Sequence, residues 1–66
     1  MIDYDLIAKA QKLAGAHVHD VCNQLLIYRW YAEQDELDEK GQAILEGSER
    51  WLRMFVNSGG RHPRDL

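Results

Sequence analysis

With 66 residues the chain holds a single domain at most. Its 45% hydrophobic and 29% charged residues exclude a disordered chain. The formal charge of −3 excludes a protein that simply coats nucleic acid, though not a local basic patch. One cysteine, Cys22, excludes an internal disulfide framework.

No stretch approaches the ~20 apolar residues that span a bilayer, and the acidic start (Asp3, Asp5) lacks the basic and apolar regions of a secretion leader. A reducing, cytoplasmic setting with no membrane contact is the expectation. Apolar/polar alternation is absent and the one proline, Pro63, lies near the C-terminus, so strands are not expected and helix is permitted from Asp3 to Asn57.

The first helical pattern opens at Asp3, whose carboxylate suits an N-cap. Leu6, Ile7, Ala10, Leu13 and Ala14 recur at three-and-four spacing, and the stripe continues through Val18, Val21, Leu25, Tyr28 and Ala32. Gly15 sits between the halves, but no Ser, Thr, Asp or Asn follows promptly to restart a helix. The periodicity therefore predicts one long helix from Asp3 to Glu33, kinked or broken near Gly15. Five acids in seven residues follow (Glu33 to Glu39), with Asp35 and Asp38 both suited to cap the next helix.

A short loop from Gln34 to Leu37 leads to a second helix, Asp38 to Asn57, with the stripe Leu37, Gly41, Ile44, Ser48, Trp51, Leu52 and Phe55. Gly41 and Ser48 are small enough to seat Tyr28 or Leu25 opposite. The polar face carries Gln42, Glu46, Glu49, Arg50 and Arg53, and Glu36–Lys40, Glu46–Arg50 and Glu49–Arg53 are favourable i,i+4 pairs. Asn57-Ser58-Gly59-Gly60 ends the helix. Residues 1–60 read as one helical domain and 61–66 as a flexible basic tail. The fold expected is an all-α helix-turn-helix hairpin. One seam is little core for a chain of this size, so dimerisation into an assembly like a four-helix bundle is expected as well.

The segment Leu26-Ile27-Tyr28-Arg29-Trp30-Tyr31 is the most informative. At 100° per residue Leu25 and Tyr28 lie on the seam, whereas Ile27 and Trp30 point to the far side. A second apolar surface is implied, covered by a partner, by a second copy, or by the Leu6–Ala14 segment folded back at Gly15. Ile27, Trp30 and Tyr31, with Asp35 and Glu36 of the acidic turn, are the candidate partner-binding residues.

Arg50, Arg53, Arg61 and Arg64 are the candidates for nucleic-acid contact, although Arg50 and Arg53 are each paired in sequence with a glutamate. His17, His19 and Cys22 carry ligand chemistry, but His17 points away from the other two on a helix and Cys22 lies near the seam, so no metal or cofactor is expected. No nucleophile–base arrangement or glycine-rich phosphate loop is present, which argues against an enzyme and against a small-molecule substrate. The hairpin layout is similar to small helical dimers of phage and plasmid origin, RNA-binding and host-inhibiting ones among them. That likeness is architectural and gives no residue a role. The sequence thus points to a non-enzymatic regulator or inhibitor that binds protein, as a homodimer; nucleic-acid binding through the arginine face is the alternative.

Overall fold

The computed structural model describes residues 1–66 and is all-helical: α1 (Tyr4–Leu13), a 3-10 turn (Gly15–His17), α2 (Val18–Ala32), α3 (Glu39–Asn57) and a second 3-10 turn (Pro63–Asp65). None of the helices is long and apolar enough to cross a membrane.

The long first helix does not form. Gly15 adopts φ +50°, a left-handed conformation open to glycine at little steric cost, and the backbone turns there. The His17 amide donates to the Ala14 carbonyl at 2.8 Å, and α2 starts from that turn without a side-chain cap. Length explains the outcome. The 19 residues of α3 span about 28 Å and the 15 of α2 about 22 Å, at 1.5 Å per residue. Little of α3 is left to cover a continuing helix, so Leu6, Ile7, Ala10 and Ala14 find burial only by folding back.

The fold-back yields a three-helix core. Leu6, Ile7, Ala10 and Ala14 meet Val21, Leu25 and Tyr28 of α2 and Leu52 and Phe55 of α3, with Ile2, Leu13, Leu45, Trp51 and Val56 packed around them. Every buried side-chain nitrogen or oxygen has a hydrogen-bond partner; the Ser48 hydroxyl, for example, donates to the Leu45 carbonyl at 3.0 Å. Within itself the core is complete.

Several expectations shift for physical reasons. Val18, at the first position after the turn, is half-exposed rather than on the seam, and Cys22 is exposed. The space at Gly41 is taken by its own N-terminal neighbours rather than by Tyr28 or Leu25. A methyl group there would sit 3.1 Å from an Asp38 carboxylate oxygen and 3.2 Å from a Leu37 methyl. Of the two candidate caps, Asp38 is used, accepting from the Gly41 amide at 2.7 Å. Of the three i,i+4 pairs expected only Glu49–Arg53 closes, at 2.9 Å, while a further one, Asp5–Lys9, also at 2.9 Å, forms in α1. Residues 61–66 form a turn whose His62 reaches across to Asp20 (3.0 Å) and packs edge-on against Trp51 and His17. Gly60 lies close to Leu13; a methyl group on it would meet the Leu13 carbonyl at 3.1 Å.

Asp3 joins the three helices. Its amide donates to the Tyr28 hydroxyl at 3.0 Å, one carboxylate oxygen accepts from the Leu6 amide at 3.1 Å, and the other meets Arg53 at 3.3 Å. The Leu6 amide above all, aided by Arg53, holds the Asp3 carboxyl below its ordinary value of 3.8. Arg53 in turn is raised, first by its hydrogen bond to Glu49 and further by Asp3. A carboxyl depressed in the folded state adds stability that is complete above 3.8 and is lost as pH falls through its folded value. We therefore expect Asp3→Asn to lower the melting temperature at pH 7 and to flatten the loss of stability below about pH 4. Thermal melts of both proteins from pH 2 to pH 7 check this; parallel curves would show that Asp3 titrates alike folded and unfolded.

Candidate functional site

A helix that lies on a protein surface normally carries one apolar stripe. The C-terminal half of α2 carries apolar residues on both its inner and its outer side. Val21, Leu25 and Tyr28 are buried, yet Leu26 (62% exposed), Trp30 (59%) and Ile27 (37%) face outwards. Folding back of α1 does not cover this side. Leu6 and Lys9 of α1 share a hollow with Arg53, Val56 and Asn57 of α3, which places α1 against the flank of the hairpin away from Ile27 and Trp30. The second apolar surface expected from the sequence is present and open.

Beside this face, a groove lies where α2 ends and α3 begins. Trp30 and Tyr31 of α2, with Gln34 just beyond its end, face Leu37, Lys40, Gly41 and Ile44 across a wide-mouthed groove of about 620 Å³, with Glu36 and Asp38 also lining it. Local chemistry builds each wall. The Trp30 and Tyr31 rings meet edge-on with centroids 4.9 Å apart, and the Gln34 side chain donates to the Trp30 carbonyl, closing the helix end. On the other wall the Asp38 cap and the Leu37 side chain fold over the bare Cα of Gly41, which fixes the lip. One heptad past Lys40, on the same side of α3, Gly47 is open, with nothing within 4 Å of the place a Cβ would occupy.

Of the residues singled out in the sequence, Trp30, Tyr31 and Glu36 line this groove. Ile27 extends the same face one turn back along α2, and Asp35 is exposed on the loop beside it. Leu37 and Ile44 were read as core-stripe residues, but Leu37 is only half-buried and Ile44 is 38% exposed. Their signal was in the sequence. Three residues turn a helix by 300°, so Ile44 stands about 60° off the Gly41 direction, at the margin of the stripe.

The arginine set is split. Arg50 and Arg53 share a shallow hollow with Glu46 and Glu49, and Arg53 is held by Glu49 and Asp3. Arg64 lines a separate hollow with His17, Asp20, His62 and Asp65, and Arg61 hydrogen-bonds the Asp65 carbonyl at 3.4 Å. Basic side chains thus stand among carboxylates at both places. His17 packs edge-on against Phe55 and His62, while His19 and Cys22 are exposed. No three His, Cys, Asp or Glu side chains converge to hold a metal ion.

Gly47 is open to a direct measurement. A glycine inside a helix is about 1 kcal/mol less favourable than alanine, and at this position no neighbour offsets the difference. Gly47→Ala should raise the melting temperature by about 4–8 °C in dilute solution. An unchanged or lower value would reveal a packing partner at that spot.

Compared with known proteins, the chain matches no family model, no curated protein and no solved structure at a significant level.

Proposed function

We propose that this chain is a non-enzymatic regulator that acts by binding another protein through the α2–α3 groove and the apolar face beside it. The observation that carries the reading is the outward apolar set in the C-terminal half of α2: Leu26, Ile27 and Trp30 remain in water although the core is closed and every buried polar side-chain atom is satisfied. Apolar patches left open on a finished fold mark interaction surfaces, and tryptophan and tyrosine are enriched among residues that dominate binding energy. The total surface agrees. A folded chain of 7.7 kDa is expected to expose about 4,300 Å², whereas this one exposes 4774 Å². Nucleic-acid binding is the weaker reading, because Arg53 is engaged by two carboxylates and Arg50 shares its hollow with Glu46 and Glu49.

The test is site-specific photo-crosslinking in the cells that make the protein, with a benzophenone side chain at position 30 in one variant and at position 50 in another. Adducts at position 30 that resist nuclease and yield to protease, and that disappear when Ile27→Glu is added, are expected. Nuclease-sensitive adducts at position 50 with none at position 30 would replace this reading with the nucleic-acid one. Because Ile27 and Trp30 are exposed, the pair Ile27→Glu and Trp30→Glu should leave the circular-dichroism spectrum unchanged. A collapse of helicity would show that the face holds the fold together instead.

A further inference from the structure

The groove and the loop above it differ in character, and the difference says what kind of segment fits. Trp30, Tyr31, Leu37 and Ile44 supply the apolar lining of the groove. The loop and helix ends around it carry Glu33, Asp35, Glu36, Asp38 and Glu39. Asp38 is occupied as a cap, but Glu33, Asp35, Glu36 and Glu39 have no ion-pair partner; the four ion pairs of the molecule use Asp3, Asp5, Asp20 and Glu49. Lys40, the one cation lining the groove, forms no ion pair either. Four solvated carboxylates beside two exposed helix walls leave the mouth strongly negative.

Resting on the protein-binding reading above, we propose that the occupant of the groove is a basic amphipathic helix of a partner protein. Its apolar face would lie on Trp30, Tyr31, Leu37 and Ile44, and its lysine or arginine residues would meet the loop from 33 to 39. Helices dock into grooves through apolar side chains at i, i+3, i+4 and i+7, and the walls here are themselves helices whose ridges accept that spacing. Gly47 has no side chain to hold an incoming backbone away from α3. Charge selects between occupants. A second copy of this chain brings a net charge of −3 and an equally acidic loop, which like-charge repulsion disfavours. A basic helix releases that repulsion and gains steering from the same carboxylates.

Three labelled 18-residue peptides test the proposal by fluorescence anisotropy on the intact protein. The first is a leucine/lysine helix with one apolar face, the second the same helix with glutamate for lysine, and the third a scrambled leucine/lysine sequence without a face. The first should bind, and more weakly as salt rises; the other two should bind about tenfold more weakly or worse. Replacing the four unpaired acids together (Glu33→Gln, Asp35→Asn, Glu36→Gln, Glu39→Gln) should weaken the first peptide about tenfold and remove most of its salt dependence. Trp30→Ala should weaken it at every salt concentration, with helicity unchanged in both variants. Equal binding of the scrambled peptide would overturn the groove as the site, and equal binding of the glutamate peptide would overturn the charge selection. If no peptide binds and sedimentation shows a dimer that Trp30→Ala dissociates, the occupant is a second copy. That result, like crosslinks at position 30 to a partner without a basic helix, sinks this proposal and leaves the protein-binding reading standing.

Discussion

Everything in this fold follows from the reversal of the chain at Gly15. An amphipathic segment needs an apolar surface to face, and a hairpin of two helices with matched lengths has room for one seam. By turning back at a left-handed glycine the chain converts its first ten helical residues from an overhang into a third wall. Leu52 and Phe55, fully buried, share one core cluster with Leu6, Ile7 and Ala10 of that wall. The Asp3 contacts to Tyr28 and Arg53 then latch the start of α1 to both other helices at once.

The same reversal decides what stays open. A third helix can lie against one flank of a hairpin, and the other flank keeps its side chains in water. Here the uncovered flank includes Ile27, Trp30 and Ile44, and the loop that crosses its end is the most acidic part of the chain. The core and the groove are thus two outcomes of one packing choice. Ser48 and Gly41 show how finely the closed side is finished: the hydroxyl bonds within its own helix, and the missing side chain makes room for the cap.

Much of this was legible in the sequence because helix periodicity is a strong signal. The N-cap at Asp3, the cap at Asp38, the end at Asn57 and the buried set Leu6, Ile7, Ala10, Val21, Leu25, Tyr28, Leu52 and Phe55 all follow from spacing and cap chemistry. The opposite directions of Tyr28 and Trp30 were equally readable. The break at Gly15 was harder to read, because α2 restarts from a 3-10 turn with no side-chain cap and so leaves no capping residue in the sequence. The reach of His62 to Asp20 and Trp51 was out of view for a different reason: it depends on how residues 42 positions apart meet once the hairpin has closed. Leu37 and Ile44 were recognised as apolar but placed in the core, since a stripe read from spacing has no sharp edge.

The shortness of α1 has a consequence for how the molecule breathes. A helix of ten residues does not persist alone in water, so α1 exists as a helix only while docked, whereas α2 and α3 share the larger interface. Detachment of α1 is therefore a partial opening distinct from global unfolding, and its amide protons should exchange with solvent as one cooperative group ahead of those in the middle of α3. During such an opening the parts of Val21, Leu25 and Tyr28 that α1 covers briefly join Ile27 and Trp30 at the surface, while the side of α2 packed on α3 stays closed.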